Sequence, residues 1–325
     1  MKKIKKKPII LFFIAIIALY VIIYIVPQVT GALVSSYTAT YGELKISDET
    51  DGWLVRNEKV YTAGSSGSIN RYIKESTLIR RGTSVMEVSG GSGEGSEIDS
   101  AYTEMLSRLG DNAVETESYT AEEGGIVCYY ADGYEGKLTP ETMKKGGLSY
   151  YSKITQDAVA DLKRDTAVKG EPVFKIADRT KWYLVCFVEE SSADRYEAGQ
   201  EIEVAFEDDQ IRMDVKSVKK MDGRVRIILE TDYYYSGFAR TRAAKVSLVT
   251  YEERGLIVEN GSITEEKGVK GVYVKVRSGN FVFVPIRIYK TDGQYSLVAD
   301  GTYYDEKGEL ISTVEIYDEV LKDPN

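Results

Sequence analysis

The residue types that most often carry chemistry are thin in this chain of 325 residues. There is no histidine, which removes the commonest general base, the commonest zinc ligand and the usual near-neutral proton switch. A Ser or Cys nucleophile would then need a lysine or a carboxylate as its base. Adjacent acids stand at Glu122-Glu123, Glu189-Glu190, Asp208-Asp209 and Asp305-Glu306, and paired carboxylates are the working groups of glycosidases. On an acidic chain such pairs read as solvated surface, and no calcium-loop spacing surrounds them. The two cysteines, Cys128 and Cys186, lie in apolar runs, Ile126-Val127-Cys128-Tyr129 and Leu184-Val185-Cys186-Phe187. They read either as one disulfide or as two buried free thiols behaving as small hydrophobes. Residues 89–96 are rich in glycine but lack the Gly-Lys-Ser/Thr ending of a phosphate loop, so they read as a linker. The sequence thus nominates no catalytic, cofactor-binding or metal-binding residue.

Charge and hydropathy narrow the class further. The formal net charge is −9, and five lysines (Lys2, Lys3, Lys5, Lys6, Lys7) precede the first apolar run, so the remainder is more acidic still. Phosphate contacts need clustered Lys and Arg, which argues against nucleic acid as a partner. Ile9 to Val26 is an unbroken apolar and aromatic run of 18 residues. As a helix it would be about 27 Å long at about 1.5 Å per residue, close to a hydrocarbon core of about 30 Å. It predicts a retained transmembrane helix rather than a cleaved signal, with the lysines cytoplasmic, Pro27 ending the span and residues 27–325 outside.

Two stretches that echo one another organise the rest of the chain. Tyr61-Thr62-Ala63 precedes Gly67-Ser68-Ile69, and Tyr119-Thr120-Ala121 precedes Gly125-Ile126-Val127 at the same spacing. Each stretch closes on glycine and an apolar alternation: Gly82, Val85, Met86, Val88 and Gly170, Val173, Phe174, Ile176. A repeat of this kind predicts two similar strand units that bury one face against each other.

Between and after them the pattern is mostly strands. Glu97 to Leu109 is a helix candidate, capped by Ser96 and ended by Gly110, with Ile98, Ala101, Tyr102, Met105, Leu106 and Leu109 on one face. Residues 136–169 interrupt the second repeat. There Thr139-Pro140-Glu141 reads as a helix start, and Ile154, Ala158 and Leu162 as a second helical face. Trp182 to Val188 is a buried strand; Glu201 to Phe206, Ile211 to Val215, Arg224 to Glu230 and Ala243 to Val249 come next, with Asp222-Gly223 as a hairpin turn. This spacing predicts a small barrel or sandwich. Gly255 to Val258, Gly271 to Val276 and Phe281 to Ile286, the latter two joined by Ser278-Gly279-Asn280, then Tyr295 to Val298 and Leu310 to Ile316, form a last β segment. Tyr317 to Lys322 reads as a short helical tail. Tyr233-Tyr234-Tyr235 is either an interface patch or alternating strand burial.

The glycine-centred halves resemble the two halves of a lipoyl-like barrel-sandwich hybrid. Gly170-Glu171-Pro172-Val173-Phe174-Lys175-Ile176-Ala177-Asp178, with Trp182-Tyr183-Leu184-Val185 after it, is similar to the junction of HlyD-type membrane fusion proteins, or periplasmic adaptor subunits. Gly199-Gln200-Glu201-Ile202-Glu203-Val204 resembles their next barrel strand. Leu256 to Ile263 and Gly271 to Val274 resemble their membrane-proximal domain. The chain departs from them in lacking a long coiled-coil hairpin between the halves and an Asp-Lys-Ala hairpin tip, and in carrying the 136–169 insertion. It looks like the short-hairpin form from single-membrane bacteria, which implies neither an outer-membrane channel partner nor lipoylation.

The resemblance implies a mainly β fold: a transmembrane helix, a lipoyl-like hybrid, a small β-barrel and a membrane-proximal β domain. It implies a basic cytoplasmic tail at 1–8, the helix at 9–26, and a linker with a first membrane-proximal strand at 27–50. The lipoyl-like domain would be 51–88 plus 118–177, with a short helical insertion at 89–117, the barrel at 178–250 and the membrane-proximal domain at 251–325. The implied function is a non-catalytic, membrane-anchored extracytoplasmic adaptor of an export (efflux) system. Its partners would be the bilayer, through Ile9 to Val26, and a transporter permease or an envelope or division complex; its exterior domains would pack against the exporter or assemble with copies of themselves side by side in a ring. Members encoded beside cell-division factors give the alternative, a scaffold in cell-envelope assembly or division.

Overall fold

The computed structural model describes residues 16–20, 35–90, 98–238 and 240–324. Residues 16–20 are helical; the rest of the expected Ile9 to Val26 span, the lysine cluster and most of the glycine-rich linker lie outside the described residues. Among the described residues no helix is long and apolar enough to cross a membrane. The chain divides into two compact units, Ser47–Thr250 and Met1–Ile46 with Tyr251–Asn325.

In the first unit the echoing stretches fold onto one another. The strands Leu78–Ile79, Gly125–Cys128, Pro172–Ala177, Glu58–Ala63 and Ala113–Thr116 form one sheet in that spatial order. Thr166–Ala167, Gly67–Arg71 and Met86–Gly90 form a second. Glu58–Ala63 from the first half pairs antiparallel with Pro172–Ala177 from the second, Tyr61 opposite Phe174. Their rings stack with centroids 4.5 Å apart and planes 12° apart. The halves also exchange hydroxyl contacts: the Glu122 N–H donates to the Tyr61 hydroxyl at 3.0 Å, and the Tyr119 hydroxyl meets that of Ser65 at 3.3 Å. Gly82 and Gly170, the matched closing glycines, turn the chain at φ of 85° and 88°, a left-handed conformation that costs other residues roughly 1–2 kcal/mol. This two-sheet body is a barrel-sandwich hybrid with its own buried core, centred on Val60, Tyr61, Val127, Val173 and Phe174.

Helix Ser100–Leu109 covers one side with Tyr102, Met105 and Leu109. It starts three residues later than the sequence suggests, where the carboxylate of Asp99 accepts the first free N–H, from Ala101; the expected cap Ser96 lies outside the described residues.

Six strands make a closed barrel. Glu201–Ala205, Gln210–Met221, Arg224–Thr231, Trp182–Glu189, Thr40–Val55 and Ala243–Glu259 are neighbours in turn, and Glu201–Ala205 pairs back onto Ala243–Glu259. The hairpin turn is Asp222-Gly223, both residues at positive φ. The expected strands Ala243 to Val249 and Gly255 to Val258 prove continuous as Ala243–Glu259, with no break at Gly255, and Thr40–Val55 is likewise one strand. Strand residues alternate between two faces. Leu54, Leu184, Cys186, Leu229 and Leu248 fill the interior, while Trp53, Val55, Tyr183, Val185 and Phe187 point outward. Those outward residues are buried as well, which explains why Trp182 to Val188 is apolar throughout.

The 136–169 insertion covers that outer face. Leu138, Met143, Tyr151 and Ile154 complete a core with Trp53, Phe187 and Ile228, a burial worth about 6–12 kcal/mol before ordering costs, at about 1.5–3 kcal/mol per side chain. The expected long helices are absent among its residues. Thr139 to Gly146 is a series of turns, Leu148–Tyr151 a single helical turn, and Ala160–Asp161 a short strand paired with Tyr130–Ala131. Gly146-Gly147 breaks the run, and the apolar side chains follow the shape of the barrel wall rather than a helical stripe.

In the other unit Ser36–Thr38, Glu319–Leu321, Val269–Lys275 and Thr264–Glu266 form a sheet, with Phe281–Pro285 also on Val269–Lys275. Its core holds Ala39, Leu256, Val272, Val298, Val314 and Val320. The expected helical tail is instead the strand Glu319–Leu321, because Ser36–Thr38 offers it an open edge.

Candidate functional site

Six ionisable side chains converge where hybrid, insertion and barrel meet. The cations are Arg56, Lys175 and Arg242; the anions are Glu58, Asp132 and Glu135; all six are buried. Arg56 and Glu58 flank Asn57 in the link from Thr40–Val55 to Glu58–Ala63. Lys175 lies in Pro172–Ala177, on the opposite face from Phe174. Asp132 and Glu135 share the turn that leads into the insertion, and Arg242 immediately precedes Ala243–Glu259.

The turn is folded by its own acids. Asp132 Oδ1 accepts the Tyr134 N–H at 2.7 Å, and the Glu135 carboxylate accepts those of Asp132 at 3.0 Å and Gly133 at 2.8 Å. Arg242 uses every nitrogen. Its Nε donates to Asp132 Oδ2 at 2.6 Å, Nη1 to the Leu54 carbonyl at 3.0 Å, and Nη2 to Glu58 Oε2 at 2.6 Å. Lys175 Nζ lies 2.7 Å from Glu58 Oε1 and 3.2 Å from Glu135 Oε1. Arg56 Nη2 pairs with Glu58 Oε1 at 3.1 Å, and its guanidinium caps the Phe238 ring at 4.8 Å while donating to the Phe238 and Thr241 carbonyls.

Burial resists ionisation of Glu58 and Asp132. The Arg242 guanidinium overcomes it, helped by Arg56 and Lys175 at Glu58 and by Lys175 at Asp132, and holds both carboxyls below the usual carboxylate range. Glu135 goes the other way: burial, then repulsion from Asp132, raises its pKa in spite of Lys175. Burial disfavours the charge on Lys175, but Glu58 and Glu135 more than restore it and leave its pKa raised. Three positive and three negative groups therefore neutralise one another inside the fold, which is the condition for burying charge without a large penalty. The arrangement binds segments together; each of the six side chains is taken up in ion pairs or backbone hydrogen bonds. A cleft of about 590 Å³ beside it is lined by Glu58, Lys59, Glu123, Glu135, Thr139 and Asp178.

The acid pairs singled out by sequence lie elsewhere. Glu122 and Glu123 reach Lys59 at the surface, at 3.0 and 3.5 Å. Glu189 pairs with Arg224 at 2.5 Å. Asp209 accepts from the Ser236 hydroxyl at 2.6 Å, and Asp305 accepts the Lys307 and Glu309 N–H groups of its turn. Among the described residues no three His, Cys, Asp or Glu side chains form a group able to hold a metal ion. Cys128 and Cys186 are both free and buried; burial pushes the Cys128 thiol up to about 12 and raises Cys186 too. The tyrosine run divides: Tyr233 and Tyr234 are exposed, while Tyr235 is buried and stacks on Phe206 at 4.8 Å.

Sequence reasoning missed the cluster. Its one local signal is Lys175, a charge inside the apolar run Val173-Phe174-Lys175-Ile176, where a lone lysine needs a buried partner.

Comparison with known proteins agrees with the two bodies of the first unit. Residues 58–178 match the family described as RND related, barrel-sandwich hybrid domain. Residues 182–252 match the RND related, beta-barrel domain. Among solved structures, MacA from Actinobacillus actinomycetemcomitans aligns over 89% of this chain and 99% of its own, at 12% identity and a TM-score of 0.39. A putative efflux transporter from Bacteroides eggerthii aligns over 87% and 95%, at 13% identity and a TM-score of 0.31. ZneB from Cupriavidus metallidurans aligns over 90% and 92%, at 12% identity and a TM-score of 0.28. No curated protein matches the chain.

Proposed function

We propose that this chain, whose residues 58–178 and 182–252 match the RND-related barrel-sandwich hybrid and β-barrel domain families, is a membrane fusion, or periplasmic adaptor, protein and the adaptor subunit of an export system. In this reading Ile9 to Val26 anchors it in the cell membrane, the basic tail stays in the cytoplasm, and the bulk of the chain stands outside. It carries no reaction. It binds a transporter permease and holds it to further subunits, copies of itself included. The domain limits drawn from the sequence, with the lipoyl-like body at 51–88 plus 118–177, the barrel at 178–250 and a membrane-proximal body at 251–325, belong to the same proposal, except that residues 51–55 go to the barrel as the end of its strand Thr40–Val55.

One observation supports it above the rest. Two halves far apart in sequence close through Glu58–Ala63 and Pro172–Ala177 into one hybrid, joined by short links to a closed barrel, and the most polar interior of this body is consumed in holding it together. That is the design of a spacer and docking piece, where binding surfaces ride on a rigid scaffold. Affinity capture of the full-length chain from detergent-solubilised membranes tests it. Recovery of a multi-span transport protein in stoichiometric amount is expected; recovery of envelope-assembly or division proteins, with no transporter, would overturn it.

A further inference from the structure

Hybrid and barrel are joined by only two short stretches of chain, residues 56–57 and 178–181. Two such links, side by side, would by themselves form a hinge. The insertion changes that. It leaves the hybrid after Ala131, crosses the outer wall of the barrel and returns to the hybrid, where Ala160 and Asp161 pair with Ala131 and Tyr130. Both its ends are thus fixed in the hybrid, while its middle is fixed on the barrel.

The attachment to the barrel is specific as well as apolar. The buried Trp53 indole N–H donates to the Ile154 carbonyl at 2.9 Å. The buried Arg226 guanidinium donates to the Lys144 and Gly146 carbonyls at 2.8 and 2.9 Å. The Gln156 amide grips the segment that leads into the last barrel strand: its oxygen accepts the Arg242 N–H at 2.8 Å, and its nitrogen donates to the Arg240 carbonyl at 2.8 Å. Under the strap lies the charge cluster. Glu58 and Lys175 come from the hybrid, Asp132 and Glu135 from the root of the strap, and Arg242 from the barrel. Turning the hybrid on the barrel would separate buried charges from their partners, which a low-dielectric interior penalises strongly.

We propose that the 136–169 insertion is a strap which, with the charge cluster beneath it, locks the hybrid and the barrel in one orientation, so that residues 47–250 move as a single rigid body. The strap converts a two-link hinge into a three-point joint. The lock follows from the contacts alone and is independent of what the protein docks onto.

Spin labels at the exposed positions Ser118, on the hybrid, and Lys219, on the barrel, test it in the full-length chain in detergent; the buried native thiols stay unlabelled. Wild type is expected to give one narrow distance peak. The pair of substitutions Arg226→Met and Gln156→Ala removes two of the clasps without opening the apolar core, and is expected to abolish the single peak in favour of a broad distribution. A broad distribution already in wild type would overturn the proposal. So would an unchanged narrow peak in a folded double variant that also carries Trp53→Phe, which removes the remaining clasp. If the multiple variant fails to fold, the wild-type distribution still decides.

Discussion

Arg242 and Asp132 meet at 2.6 Å in the interior although 110 positions separate them in the chain. The contact joins the residue just before a barrel strand to the turn from which the insertion departs, and the same guanidinium reaches Glu58 at 2.6 Å. Removing it would leave two carboxylates buried without their main counter-charge.

Arg242→Met is accordingly expected to destabilise the protein by about 3–5 kcal/mol, the range for breaking a buried ion pair from one side. Arg242→Lys should recover little, because one ammonium cannot reproduce a planar fork that serves Leu54, Glu58 and Asp132 at once. Equilibrium unfolding in urea of the two variants measures both.

The pH dependence has a definite sign. Glu58 and Asp132 bind protons more weakly folded than unfolded. Their contribution is present above the ordinary carboxylate pKa of about 4 and lost as pH falls below it. Glu135, with its raised pKa, contributes oppositely: it favours the fold at low pH and less so as pH rises through and above the ordinary value. Acid should therefore unfold the wild type through Glu58 and Asp132. Thermal melting across this window is expected to show a shallower acid-side decline in Glu58→Gln than in wild type, from a lower starting stability; an equally steep decline would contradict the assignment.

The interface between the two echoing halves rests on the Tyr61–Phe174 stack. Phe174→Ala should cost about 3–5 kcal/mol. Tyr61→Phe, which keeps the stack and loses only the hydroxyl that accepts from Glu122, should cost about 1 kcal/mol. Gly170→Ala, at φ of 88°, should cost roughly 1–2 kcal/mol. Urea unfolding should reproduce this order.

Neither cysteine should react with a thiol reagent in the native state, since both are buried and their pKa values are raised. Two equivalents are expected on addition of denaturant, with or without prior reduction; one fast-reacting thiol in the native protein would refute the placement.

Much of this was legible from local rules. The Gly82 and Gly170 breaks, the Asp222-Gly223 hairpin and the Trp182 to Val188 strand depend on backbone conformation or period, which a short window of sequence reveals. The insertion misled because its Thr139-Pro140 start and spaced apolar residues imitate helices, whereas Leu138, Met143, Tyr151 and Ile154 answer to the outward side chains of the barrel. Tyr317 to Lys322 misled for a related reason: a strand edge contributed by Ser36–Thr38 decides its state. The charge cluster was hidden because its members come from four separate stretches, and only the fold brings Arg242 to Glu58. A lysine at position 175, amid apolar neighbours, was the lone pointer.

Hydrogen exchange in the Arg242→Met variant tests the central claim most directly, namely that hybrid and barrel are one cooperative body held at the charge cluster. The strands Glu58–Ala63 and Trp182–Glu189 should lose protection together and to the same extent. Loss confined to one of them, with the other protected as in wild type, would show two independent domains and contradict the account.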